Sequence, residues 1–389
     1  MSTLRFLTAG ESHGPSLTAI LEGLPAGLKL DLARIDRDLA RRQQGYGRGG
    51  RMKIEKDHID ILSGVRFGET LGGPVSLSVR NRDFEHWTDR MAAFGNPAGE
   101  AVTAARPGHA DLTGYKKYAR KDIRDILERS SARETTMRVA VGGVCKAFLR
   151  ALGITVVSHV TKIGGVAIDP SHVDPADILG TDALLDPDGL NCYDKDAEER
   201  MKERIRAAMA AGDTLGGTFE VLARGVPLGL GSHIQWDRRL DARLAGAMMS
   251  IQAIKGVEIG AGFAYADQPG SAMHDEMYID GTHVYRKTNR AGGLEGGMTN
   301  GEPVIVRAVM KPIPTLMQPL HSVDVMKKEP VLACKERSDA CAVSAASVVG
   351  EAMVAFVLAQ AVIEKFGGDV MVDVLAAVNA YKKRVEEDW

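Results

Sequence analysis

Two histidines stand in turns framed by glycine. His13 lies in Gly10-Glu11-Ser12-His13-Gly14, and His109 follows Gly108 in Arg106-Pro107-Gly108-His109-Ala110-Asp111. Each has a small polar or acidic neighbour, Ser12 or Asp111. Imidazole can donate a proton near neutral pH, and departure of an anionic group needs such a donor or a fixed cation. His58, His86, His172 and His274 sit among charges and read as structural or exposed.

The cations cluster. Residues 34–56 hold eight Lys/Arg against three Asp/Glu, a net of +5, and residues 106–138 hold nine against five, a net of +4. Arg48 and Arg51 fall in the glycine run Gly45-Tyr46-Gly47-Arg48-Gly49-Gly50-Arg51, just after Arg41 and Arg42. Arginine grips phosphate or carboxylate with a planar fork, and adjacent glycines let backbone donors approach the same anion. Arg34, Arg37 and Arg124 read instead as a solvated helix face. Ser130 and Ser131, in Arg129-Ser130-Ser131-Ala132-Arg133, can cap the helix that follows and offer its free N–H groups to phosphate. Arg337-Ser338-Asp339 repeats that style, and Asp339 reads as a helix cap.

Two motifs imitate other chemistry. Gly10 to Gly14 matches the G-x-S-x-G nucleophile elbow, but only nine residues precede it, too few for the earlier strands that supply an oxyanion donor. Gly45, Gly47 and Gly50 match G-x-G-x-x-G with the element order reversed, a helix before and an extended segment after. No P-loop pattern occurs.

These residues need a scaffold. The spacing predicts strands over 4–9, 59–65, 74–79, 154–160, 217–222, 257–263 and 304–310. It predicts helices from the Asp31 cap onward and over 132–152, 195–211, 239–251, 339–366 and 369–385. The helix over 195–211 reads as exposed. Residues 340–363 are almost all small and apolar, with Glu351 near the middle. A mid-bilayer acid is costly, so a helix buried on all sides of a large protein fits better than a membrane span. An α+β layered fold with an apolar helical centre is expected.

Composition agrees with a globular protein that has ample material for a core. The 389 residues are 44% hydrophobic and 26% charged, with a net charge of -2. Disorder, collagen and a tail-dominated nucleic-acid binder are excluded. Glycine reaches 43 residues while proline is only 15, a pattern of tight turns and close backbone approach. Cys145, Cys192, Cys334 and Cys341 form no C-x-x-C pair and no zinc spacing, so reduced thiols, no metal and a cytoplasmic setting are expected, and no secretory signal opens the chain. Length alone suggests about two domains or one large one. The residues by themselves lead to an enzyme handling a small polyanion, with a phosphate-bearing cofactor, and leave a nucleic-acid module on the loop 42–51 and a Ser12 hydrolase as rivals.

Seven segments together resemble chorismate synthase. They are TAGESHGP from Thr8, RRQQGYGRGGRMKIE from Arg41, RPGHAD from Arg106, RSSARET from Arg129, GVEIG around Val257, KPIPT from Lys311 and ERSDACAV from Glu336. The resemblance covers nearly the whole chain. It implies one domain over 1–389, a β-α-β sandwich with a helical core between antiparallel sheets, and a homotetramer with no nucleic-acid or membrane partner. It implies the last shikimate-pathway step: an anti-1,4-elimination of phosphate from 5-enolpyruvylshikimate 3-phosphate, requiring reduced FMN without net redox change. NADPH enters only as an upstream reductant, and external reduction is expected.

The resemblance also assigns residues. His13 corresponds to the histidine that protonates departing phosphate, His109 to the one beside the N1–C2 side of the flavin, and Asp339 to a proton shuttle at N5. Ser12, Arg42, Arg48, Arg51, Arg106, Arg133 and Arg337 correspond to substrate ligands. Flavin contacts correspond to Arg129, Ser130, Ser131, Gln252, Ala253, Gly296, Lys311, Pro312, Ile313, Pro314, Thr315 and Arg337. Gln252 departs from the asparagine that many members carry.

Overall fold

The computed structural model describes residues 4–49, 55–173, 178, 186, 188–281, 283–334 and 338–387. Alternation of inward and outward side chains builds a first sheet in the order Arg5–Ala9, Ser16–Glu22, Val75–Arg80, Asp60–Ser63, all antiparallel. Its inner face buries Leu17, Ala19, Leu21, Val75, Leu77 and Val79. A second antiparallel sheet runs Ile254–Ile259, Val304–Met310, Gly217–Arg224, Thr155–Ile163, Val166–Ala167. The helices Leu32–Gln43, Thr135–Ala151 and Val343–Phe366 pack between the two sheets. The expected α+β sandwich with a helical centre is therefore what the chain forms.

Val343–Phe366 is the axis of this layer. It is long and apolar enough to cross a membrane by length and composition, yet every residue from Val343 to Ala359 is buried inside the fold. Phe6 of the first sheet meets its Phe356 edge-on, with ring centroids 4.7 Å apart and planes at 89°. From the second sheet Phe219 presses against Gly350, where an added Cβ would lie 2.5 Å from the ring. Gly142 does the same for the neighbouring helix: a Cβ there would stand 2.5 Å from the Ala352 Cα. Side-chain-free positions thus let the layers close to contact distance, and interdigitated packing at that density supplies most of the stability.

One acid interrupts this apolar axis. Glu351 is 1% exposed. Arg41 donates to it through Nη1 at 2.9 Å and Nη2 at 3.0 Å, Ser158 Oγ donates at 3.0 Å, and Lys146 Nζ donates as well. Asp38 closes the group by accepting from Arg41 at 3.0 Å and Lys146 at 2.8 Å. Two cations face two carboxylates, so the buried charge is balanced and hydrogen-bonded, as burial demands.

Several expectations need correction. The strand Ser16–Glu22 was not anticipated. The central helix starts at Val343, not 339, and Asp339 does not cap it; it is held instead by the Gly49 N–H. The helix Lys195–Ala210, capped by Asp194, is not an exposed one: Ala197, Met201 and Ile205 are fully buried. Arg124 is not solvated either; its side chain is 15% exposed and paired with Glu128. The strand expected over 257–263 runs Ile254–Ile259 instead, ending ahead of 263 because Gly260 turns the chain with φ 57.

Candidate active site

The first loop carries His13. Gly10 makes its bend possible: φ is 113, and a Cβ there would sit 2.5 Å from the Ser16 carbonyl oxygen. The loop is then tied from several sides. The Ser12 N–H donates to the Glu128 carbonyl at 3.1 Å, and Asn81 Nδ2 donates to the Gly14 carbonyl at 2.8 Å. Arg129 donates to the carbonyls of Thr8 at 2.9 Å and Gly10 at 3.3 Å.

A second loop leaves the helix Leu32–Gln43 and lies against the approach to the central helix. The Ala340 N–H donates to the Gly47 carbonyl at 2.8 Å. Asp339 accepts from the Gly49 N–H at 2.6 Å and pairs with Arg48 at 2.8 Å. The third wall is the segment after strand Val304–Met310. The Lys311 N–H donates to the Ala253 carbonyl at 2.9 Å, Thr214 Oγ1 donates to the Ile313 carbonyl at 2.7 Å, and Lys311 Nζ donates to the Gly108 carbonyl. Ala253 holds φ 67, a left-handed conformation that costs ordinary residues ~1–2 kcal/mol.

These walls enclose a cavity of about 680 Å³. Ser12, His13, Arg42, Arg48, Arg106, His109, Arg133 and Asp339 line it, with Ser130, Ser131, Gln252, Ala253, Lys311, Ile313, Pro314 and Thr315. Residues up to 327 positions apart in sequence are thereby brought together. The assembly is incomplete at three positions. Arg129 is spent on Thr8 and Gly10, Pro312 does not line the cavity, and Gly296 lies in the tight turn between Leu294–Glu295 and Met298–Thr299, away from it. Arg51 and Arg337 lie outside the described residues.

Charge in the cavity is lopsided. Among the described residues five cations line it, Arg42, Arg48, Arg106, Arg133 and Lys311, against one lining carboxylate, Asp339, while Glu55, Asp57 and Asp111 pair with the arginines from behind. Asp57, buried beneath, accepts from Arg133 Nη1 at 2.7 and 2.8 Å and pairs with Arg42 at 3.3 Å. Burial pushes the Arg42 guanidinium down; Asp57 opposes this, Arg133 and Arg48 add to it, and the result is about 10. Among the described residues, Arg42 Nε and Arg133 Nη2 are buried donors with no hydrogen-bond partner. An anion in the cavity offsets the positive charge of its lining. Two helix starts reinforce the field, since Ser131 and Ala132 open one and Ala342 the other. Ser131 caps as expected, accepting from the Arg133 N–H at 3.3 Å.

Each histidine has a carboxylate. His109 Nδ1 lies 2.5 Å from Asp111, which also accepts from Arg106 Nε at 2.8 Å and Nη2 at 3.0 Å. Burial would raise the Asp111 carboxyl, but His109 and Arg106 hold it well below the carboxylate range. His13 Nδ1 lies 2.9 and 3.0 Å from the two oxygens of Glu128, and its ring stacks on Trp87 at 4.1 Å. Glu128, Trp87, Asp57 and Asn81 were not singled out in the sequence. Glu128 reads there as an ordinary i,i+4 partner of Arg124, and no local pattern reports a contact 115 residues away.

The lining is also apolar in part, through Ile251, Met310, Ile313, Pro314, Ala345, Ala346 and Val349. Gln252 donates to Glu134 at 3.0 Å, while its Oε1 is buried without a partner among the described residues. Apolar side chains lining the same cavity as Gln252, Ser130, Ser131 and Lys311 fit a ring cofactor that carries N–H donors and a phosphate.

The chorismate synthase family model matches residues 4–363. The chain belongs to the chorismate synthase family. It is 57% identical over 388 residues to the chorismate synthase of Syntrophotalea carbinolica, covering 99% of this chain and 100% of that one. It is 57% identical over 392 residues to that of Geobacter sulfurreducens, covering 98% and 99%. A crystal structure of chorismate synthase superposes with a TM-score of 0.78 at 45% identity, covering 98% of both chains. Six of the seven resemblance stretches contribute residues to the cavity; GVEIG lies in and just after the strand Ile254–Ile259 and does not.

Proposed function

We propose that this chain is a carbon–oxygen lyase that converts 5-enolpyruvylshikimate 3-phosphate to chorismate and phosphate with reduced FMN bound in the same cavity. The observation that carries the reading is that, among the described residues, five cations and one carboxylate line a single cavity together with apolar side chains. The substrate brings two carboxylates and a phosphate, which is the charge such a cage lacks.

The reaction breaks a C–O bond to phosphate and a ring C–H bond, and forms one new double bond. Charge grows on the departing phosphate, so Arg42, Arg48 and Arg133 oppose it most in the transition state. His13 gives its proton to that phosphate. His109, fixed by Asp111, stands on the flavin side, and Asp339, fixed by Gly49 and Arg48, offers an oxygen for proton exchange there. Gln252, Ala253, Ser130, Ser131, Ile313, Pro314 and Thr315 would hold the cofactor. When bound, reduced flavin supplies electron density for phosphate departure. The reading extends to NADPH as an upstream reductant only, to a homotetramer in which Gly296 and Arg129 act away from this cavity, and to the cytoplasm, which four free thiols support.

Oxidation state separates binding from turnover. Oxidised FMN is expected to bind, seen as quenching of its fluorescence, and to give no chorismate from the substrate. Photoreduction of the same anaerobic mixture is expected to start product formation. Equal rates with oxidised flavin would remove reduced flavin from the account.

A further inference from the structure

We propose that Glu128 is a positioning residue that fixes the tautomer of His13, so that Nε2 is the nitrogen that gives its proton to the departing phosphate. The proposal rests on the reading of His13 as that proton donor. Glu128 sits on the short helix Arg124–Ser130 and is 3% exposed. It reaches the first loop three times. Its carbonyl accepts from the Ser12 N–H at 3.1 Å, its Oε2 accepts from the His13 N–H at 2.8 Å, and its carboxylate lies 2.9–3.0 Å from His13 Nδ1.

The hydrogen on Nδ1 follows by elimination of acceptors. Arg124 Nη1 donates to Glu128 Oε1 at 3.0 Å, and a guanidinium can only donate. The backbone N–H of His13 can only donate. Burial raises the Glu128 carboxyl, but its bonds to His13 and Arg124 bring it below the usual value, so it is ionised and accepts only. Nδ1 must then supply a hydrogen, leaving Nε2 to exchange the proton. The imidazolium loses its Nε2 proton to a phosphate oxygen, becomes the neutral Nδ1–H ring, and regains a proton from water before the next turnover. The ring plane is fixed as well. Trp87 stacks on His13 with planes at 31°, and the Arg124 guanidinium sits 4.8 Å from the Trp87 ring centre. The other carboxylate near His13, that of Asp83, is 3.9 Å from Nε2, beyond hydrogen-bond distance. A histidine oriented by a buried carboxylate is the general device for holding one tautomer.

Glu128→Gln tests it. The amide has the same size but brings an NH₂ among neighbours that all donate, so one of the three bonds must break. Turnover is expected to fall by about 100-fold, with the substrate KM and FMN affinity within about threefold of the wild type. Glu128→Asp keeps an acceptor-only group and is expected to restore most of the rate. Ring-nitrogen NMR of histidine-labelled enzyme at a pH where the ring is neutral, with His13 assigned by its loss in His13→Ala, is expected to show the Nδ1–H tautomer in the wild type and in Glu128→Asp, and not in Glu128→Gln. A neutral ring protonated at Nε2 and not at Nδ1 in the wild type overturns the proposal without any variant. So does Glu128→Gln turnover within threefold of the wild type. Absence of chorismate from the wild type would defeat the functional reading instead, and the NMR comparison would still decide this one.

Discussion

His13→Ala is expected to lower turnover by about 10²–10⁴-fold, the usual share of a positioned general acid, while FMN affinity changes little. The two effects separate because of where the ring sits. Its bonds run to Glu128 and its face to Trp87, whereas the proposed flavin wall is built from Gln252, Ala253 and the segment 311–315. His109→Ala is expected to slow turnover on the same scale, because it removes the second ring on the cavity surface and leaves Asp111 paired to Arg106 alone. Anaerobic turnover and flavin titration on each variant check this. Full rate in both variants would mean that the proton chemistry belongs to other groups.

Glu351→Gln is expected to cost about 3–5 kcal/mol of folding stability, the range for removing one member of a buried ion pair. Arg41 and Lys146 would then share Asp38 alone inside the helical layer. The loss should appear as a lower urea midpoint at neutral pH. Its pH dependence has a definite sign. Burial raises the Glu351 carboxyl, but Arg41 and then Lys146 more than offset this and hold it below its ordinary 4.5. A depressed folded value means the stabilisation is fully present above pH 4.5 and is lost as pH falls below it. Wild-type stability should therefore drop more steeply with acid than that of Glu351→Gln. Parallel acid profiles would show that the carboxylate is not the titrating group.

Much of this arrangement was legible because local pattern and tertiary role coincide. Strand Val304–Met310 matches its expected bounds, since its inward residues alternate without exception. The apolar run around Glu351 reads as a buried helix from composition alone. Where pattern and role diverge, the sequence misleads. Strand Ser16–Glu22 carries Ile20 on its outer face, 51% exposed, so its period-two signal is blurred. In Lys195–Ala210 the charged majority masks the stripe of Ala197, Met201 and Ile205. Asp339 looks like a cap, yet the Gly49 N–H and Arg48, 290 residues earlier, outcompete that use. Glu128 is invisible for a related reason: its nearer partner Arg124 accounts for it fully in one dimension. The motifs carrying the resemblance marked most of the cavity, but they did not say that Arg129 would be used to fasten the first loop.

The most direct test of the central claim counts products against flavin. Purified enzyme, a small amount of photoreduced FMN and excess 5-enolpyruvylshikimate 3-phosphate are combined without oxygen. Chorismate and inorganic phosphate are expected in equal amounts, each far above the flavin present, with the flavin still reduced at the end. No chorismate, or product limited to one equivalent of flavin that ends oxidised, would contradict a phosphate elimination performed in this cavity.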